Sequence, residues 1–95
     1  VTIGSDCIFA NHVHIRTSDQ HCIFNESGER INPAEDVHIG NHVWLGRESV
    51  IMKGVSVGDG AIVGMRSMVT KDVPERCIVV GTPAKVIKTN VNWHE

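Results

Sequence analysis

The 95 residues include no tyrosine, and only Phe9, Phe24, Trp44 and Trp93 carry large aromatic side chains. Wide cores are usually filled with such rings, so their scarcity points to a thin one. No apolar run approaches the roughly 18 residues of a membrane-spanning helix, and no secretory signal opens the chain. Neither sign of charge dominates. Eleven acids stand against nine bases, which leaves no polybasic face for nucleic acid and no acidic tail. Cys7, Cys22 and Cys77 are odd in number and lack C-x-x-C spacing, which argues against a disulfide framework or zinc knuckle and fits a reducing cytoplasm. The chain opens on Val1, in the middle of a six-residue unit and without a methionine, and so reads as a fragment or processed product.

About a quarter of the residues are isoleucine, valine or leucine, and their placement is periodic. Ile39, Leu45, Ile51, Val57, Val63 and Val69 are spaced six apart without a break. Glycine follows four of them, at Gly40, Gly46, Gly58 and Gly64. Four positions after each aliphatic comes a smaller side chain: Val43, Ser49, Val55, Ala61, Ser67 and Val73. The frame recurs upstream at Ile3-Gly4, Phe9-Ala10 and Ile15, with Cys7 and Val13 in the small position. A helix repeats every 3.6 residues and a strand every two, so neither gives this spacing. A three-sided coil does: one short strand and one corner per unit, about eighteen residues per turn, and stacked turns pairing as parallel strands. In this reading the aliphatic points inward, and glycine is there to tolerate the backbone angles of the corner.

The frame breaks between Arg16 and Asp36. A structureless stretch of that length in a regular fold is usually functional or disordered, and because this one keeps Cys22, Ile23, Phe24 and Ile31 with which to pack, a functional excursion is favoured over a floppy insert. After Val73-Pro74 the repeat stops; Ile78–Val80 reads as a last strand, Gly81-Thr-Pro83 as a turn, and Thr89–Glu95 carries no clear signal. The expected organisation is an all-β repeat body over residues 1–75 with an excursion loop at about 16–36, then a strand and tail over 76–95.

Ile39-Gly-Asn-His-Val-Trp-Leu-Gly46, Val57-Gly-Asp-Gly-Ala-Ile-Val-Gly64, Val69-Thr-Lys-Asp-Val-Pro74 and Gly81-Thr-Pro-Ala-Lys-Val-Ile87 together resemble the hexapeptide-repeat acetyltransferases. Within them the chain is most similar to the galactoside and maltose O-acetyltransferases and to enzymes that O-acetylate sialic acid or capsular sugars. The loop phrase Thr17-Ser-Asp-Gln-His21, with Gly28-Glu-Arg-Ile-Asn-Pro33, looks like the capsule-modifying group. The resemblance runs from Thr2 to Lys88, without the N-terminal segment that many relatives use in acceptor binding. It implies a left-handed parallel β-helix, a homotrimer with active sites between subunits, and transfer of acetyl from acetyl-CoA to a hydroxyl of a sugar-type acceptor, with no metal required.

By the same resemblance His21 matches the general base. An acceptor hydroxyl is a poor nucleophile near neutral pH, where an imidazole titrates and can take its proton. Asp19 is a candidate to orient the ring, and Asn11 matches an asparagine near the acceptor. Trp44 lies in the outward part of its unit, where the repeat demands no bulk. It either packs against a neighbour or lines the active site opposite the histidine. The oxyanion of the tetrahedral intermediate needs a preorganised N–H donor, and position assigns the amide of Arg47. Gly64, Met65, Arg66, Thr70, Lys71, Lys85 and Lys88 match positions along the CoA arm and phosphates, although Gly64-Met-Arg-Ser67 departs from the usual Gly-Ala-Gly-Ser. His12, His14, His38, His42 and His94 read as surface residues.

Cys22 beside the base suggests an acyl-enzyme, but adjacent side chains of extended chain point opposite ways, which favours direct transfer. Gly58-Asp-Gly60 lacks the spacing of a dinucleotide loop. The gamma-type carbonic anhydrases share the fold and a similar tail, but they need three converging histidines. His38 and His42 are four apart where that family has five, and no third falls at the required distance. A noncatalytic assembly solenoid or degenerate enzyme is the remaining alternative, against which stand His21 and the cationic tail.

Overall fold

The six-residue period becomes nine two-residue strands, followed by a longer hairpin, in the computed structural model, which describes Val1–Glu95. The strands are β1 (Thr2–Ile3), β2 (Ile8–Phe9), β3 (His14–Ile15), β4 (His38–Ile39), β5 (Trp44–Leu45), β6 (Val50–Ile51), β7 (Ser56–Val57), β8 (Ile62–Val63), β9 (Met68–Val69), β10 (Ile78–Gly81) and β11 (Ala84–Lys88). No helix is present, so none is long and apolar enough to cross a membrane. Strands β1 to β6 each pair in parallel with the one three later, and β8 pairs in parallel with β10, giving three sheets in the orders β1-β4-β7, β2-β5-β8-β10 and β3-β6-β9. The body measures 49 × 24 × 21 Å, long and narrow as the scarcity of aromatics implies.

Both inward positions of the repeat form the core. Ile39, Leu45, Ile51, Val57, Val63 and Val69 are buried, as are Val43, Ser49, Val55, Ala61, Ser67 and Val73. The two buried serines are satisfied: Ser49 Oγ donates to the Gly46 carbonyl at 2.7 Å, and Ser67 Oγ accepts from the Gly81 amide at 3.1 Å. A hydroxyl can therefore replace a small aliphatic without leaving an unpaired polar group. Ile3 and Phe9 remain exposed, because β1 and β2 pair along one edge only.

The glycine reading needs correction. The left-handed corner falls three positions after the inward aliphatic, at Asp6, His12, His42, Glu48, Gly54, Gly60 and Arg66. Gly40, Gly46, Gly58 and Gly64 have ordinary φ. Glycine there answers a different demand, the close approach of the next coil. A Cβ built on Gly46 would lie 2.7 Å from Met65 N and Val63 O and 2.9 Å from Gly64 C, all backbone atoms.

Ile51 pairs with Val69, eighteen residues on, whereas Ile15 pairs with Ile51, thirty-six residues on. The register is therefore recovered after segment 16–37, which contributes no strand to the three sheets; its one bridge is the antiparallel pair Phe24 and Arg30. At the other end the chain makes two strands where the sequence suggested one. Strand β10 continues the second sheet over β8, and β11 folds back antiparallel on β10, with Val80 opposite Lys85.

Candidate active site

Segment 16–37 is tied at its base by the Glu35 amide donating to the Thr17 carbonyl at 2.9 Å. Its tip is self-contained. The Asn25 side chain accepts from the amides of Ser27 and Glu29, and the Asn25 amide donates to the Glu29 carbonyl, a typical use of asparagine in turns. Between base and tip, the buried Asn32 side chain holds the opposite limb. Its Nδ2 donates to Asp19 Oδ2 at 2.9 Å and to the His21 carbonyl at 2.7 Å, while its Oδ1 accepts from the Ile23 amide at 2.6 Å. From the corner after β6, Lys53 Nζ reaches Asp19 Oδ2 at 2.7 Å and the Pro33 carbonyl at 3.0 Å. Hydrogen bonding from Lys53, then from Asn32, holds the Asp19 carboxyl below its ordinary pKa. A carboxylate shifted in this direction stabilises the fold above its unfolded pKa, and the contribution disappears as pH falls through the lower folded value. The His21 side chain is exposed, and its ring makes no hydrogen bond within the chain. Asp19 is thus committed to Lys53 and Asn32. The sequence singled out neither of these partners.

Trp44 projects from the outer face of β5, opposite Ile8 and Ile62, and is 41% exposed. Its neighbour comes from the tail, a segment without a clear pattern of its own: Trp93 is buried, with its ring centroid 5.9 Å from that of Trp44 at a 54° tilt. Ile8, Trp44, Trp93, His94 and Glu95 line a small hollow of about 220 Å³. Trp93 is anchored by His42. The rings stack at 3.7 Å and 4°, the indole N–H donates to the His42 carbonyl at 2.9 Å, and His42 Nε2 lies 2.8 Å from the Trp93 carbonyl. On the other side His42 Nδ1 is 2.8 Å from Asp6 Oδ2. His42, read from sequence as an unremarkable surface residue, is therefore the anchor of the tail. The signal that could have found it is the pairing of a tryptophan in an otherwise polar tail with a histidine at a corner.

Hydrogen bonding to the Trp93 carbonyl, reinforced by Asp6, raises the pKa of His42 above its ordinary 6.5. A raised histidine pKa gives stability that is complete below the unfolded value and is lost as pH rises through the folded one. The His42 ring is expected to titrate with a midpoint above 6.5 by NMR, with the Trp93 indole N–H shifting along the same curve. Independent titration of the two signals would contradict the anchor.

The remaining candidates lie in two groups. At the corner after β5, the Arg47 amide donates to no group of the chain, as is also true of the amides of Lys53, Asp59 and Met65 at equivalent corners. The Asn11 carbonyl accepts from the Glu48 amide at 3.0 Å, and the Arg47 carbonyl from the Arg66 amide at 2.8 Å, which stacks three corners. Glu48 pairs with both Arg47 and Arg66 at 3.4 Å. Met65 is exposed, and Arg66 takes the left-handed backbone with φ 59° where the related motif has glycine. In the second group, Lys71, Asp72 and Lys85 flank an apolar-floored groove of about 320 Å³ with Val69, Val73, Val79, Ala84 and Val86. Thr70 is exposed beside Lys71, Gly64 donates its amide to the Val79 carbonyl, and Lys88 ends β11 opposite Ile78, outside the groove lining. No hydrogen bond or ring contact within one chain joins the His21 loop to Trp44, Arg47 or the Lys71–Lys85 groove.

Residues 36–71 match the family model described as bacterial transferase hexapeptide, six repeats. Over 94 residues, 98% of this chain, the sequence is 54% identical to a polysialic acid O-acetyltransferase of Escherichia coli O1:K1 / APEC, of whose length it spans 31%. The solved structure of the polysialic-acid-specific acetyltransferase NeuO superposes with a TM-score of 0.97 at 53% identity, covering 99% of this chain and 44% of that one. Galactoside acetyltransferase in complex with coenzyme A superposes with a TM-score of 0.78 at 30% identity, covering 93% and 44%.

Proposed function

The chain belongs to the hexapeptide-repeat transferases, and from that premise we propose that it carries the active-site region of an acetyl-CoA-dependent O-acetyltransferase acting on a polysialic-acid-type acceptor. In this proposal it works as a cytoplasmic homotrimer of left-handed β-helices with active sites between subunits. One observation carries the acceptor reading. The alignment at 54% identity spans 94 residues, 98% of the chain, and so runs across segment 16–37 as well as the repeat. A likeness confined to the repeat would indicate the fold without the chemistry, because function resides in the site and not in the scaffold.

In the proposed reaction the His21 imidazole accepts the proton of the acceptor hydroxyl as its oxygen attacks the thioester carbonyl. The resulting oxyanion is met by the Arg47 amide. Collapse breaks the C–S bond, and the CoA sulfur leaves with the proton returned from the imidazolium. Direct transfer needs no covalent enzyme intermediate, so Cys22 has no step in it. Trp44, with Trp93 beside it, forms an aromatic wall suited to a sugar face, and Asn11 lies at the acceptor side.

The Lys71–Lys85 groove has the chemistry of a CoA site: an apolar floor for the pantetheine arm and ammonium groups for phosphate. Gly64, Met65, Arg66 and Thr70 line the approach along the arm, and Lys88 extends the charge. Calorimetric titration with acetyl-CoA is expected to give micromolar binding near one site per chain. Lys85→Ala is expected to weaken it about tenfold without altering the rate at saturating acetyl-CoA. Absence of binding by well-folded protein would refute the transferase reading in favour of an assembly solenoid.

A further inference from the structure

Every polar atom of the Asn32 side chain is directed at the limb that carries His21. Its three bonds fall on Asp19, on the His21 carbonyl and on the Ile23 amide, bracketing His21 two residues before and two after. Asn32 is also the one buried residue between Arg16 and Asp36. A buried amide left partly unpaired is costly, so satisfying it restricts the limb to one path. Lys53 adds a tether to the coil itself. Its largely covered ammonium grips Asp19 on one limb and the Pro33 carbonyl on the other, joining both to the corner between β6 and β7.

These bonds converge on His21 and not on the tip of the segment, which holds itself together through Asn25. A device for loop stability alone would have no reason to concentrate there. We propose that Asn32 and Lys53 are positioning residues that set the place of the His21 imidazole, acting through its backbone and through Asp19; this rests on the reading of His21 as general base. Neither residue touches the reacting atoms. Displacing a catalytic group by about 1 Å can cost on the order of a hundredfold in rate, which is the lever these residues would hold.

A double-mutant cycle with acetyl-CoA and polysialic acid, read as CoA release, tests the assignment. Asn32→Ala is expected to lower kcat at least tenfold, with KM for acetyl-CoA within twofold of the parent. In a His21→Ala background the same change is expected to cost nothing further, because its effect passes through the absent ring. Lys53→Met should behave alike, and Lys53→Arg should recover most of the rate. If Asn32→Ala fails to fold, the Lys53→Met and Lys53→Arg pair carries the cycle. Equal losses with and without His21, or full activity in Asn32→Ala and Lys53→Met, would overturn the positioning role while leaving the His21 mechanism intact. Full activity of His21→Ala alone would overturn both.

Discussion

Replacing His21 by alanine is expected to lower acetyl transfer at least a hundredfold while leaving acetyl-CoA affinity unchanged. The expected size follows from the chemistry: a positioned general base contributes roughly 10²–10⁴ in rate, and no other imidazole of segment 16–37 can take over, because His21 is its sole histidine. The expected selectivity follows from geometry. The groove assigned to CoA is lined from β9, β10, β11 and the corner after β9, and no hydrogen bond connects it to the His21 loop within a chain. Loss at His21 should therefore appear in kcat and spare the CoA term. His21→Asn, which keeps a polar side chain without a titratable nitrogen, should be as slow as the alanine variant. Transfer at the parental rate by either variant would remove His21 from the mechanism.

The second large effect belongs to the scaffold. Gly46→Ala is expected to destabilise the protein by about 3 kcal/mol in urea unfolding, at the upper end of the cost of overpacking. The added methyl would press on the amide of Met65, the carbonyl of Val63 and the carbonyl carbon of Gly64, none of which can swing aside as a side chain would. Relief requires separating two coils whose ladder bonds, such as the Gly46 amide to the Val63 carbonyl at 2.8 Å, run through the same contact. Gly28 provides the contrast. It has φ +81° and open space around its Cα, so Gly28→Ala carries only the left-handed backbone penalty, about 1–2 kcal/mol. If Gly46→Ala proved no costlier than Gly28→Ala, the close-stacking account of the repeat glycines would be lost.

The repeat was legible because one physical demand recurs at every unit. An inward aliphatic, a small inward partner and a close-packed glycine are each set by the neighbouring coil; six units state the first two rules and four of them the third. The glycines show the limit of that legibility. Their positions were evident, but two different causes, a left-handed corner and a missing Cβ, produce the same letter. Only the coordinates separate them, by placing residues such as Glu48 and Arg66 at the left-handed corner and glycine at the contact. His21 is proposed as the base through the phrase around it and not through its own surroundings. Asn32 and Lys53 were missed because they are 21 residues apart and converge only when segment 16–37 folds back on the corner after β6. His42 and Trp93 escaped for the same reason, being joined across 51 residues by a stack and two hydrogen bonds. Periodic contacts between successive coils leave a pattern in the sequence; single contacts between distant, non-repeating residues do not.

The account stands most directly on one assay. Purified protein, supplied with acetyl-CoA and polysialic acid, should release CoA and yield polymer carrying acetyl esters detectable by mass spectrometry, with no ester formed when the acceptor is omitted or His21 is alanine. Binding of acetyl-CoA by the folded protein with no ester on polysialic acid would contradict the proposed acceptor. Transfer unaffected by the loss of His21 would contradict the chemistry assigned to its loop.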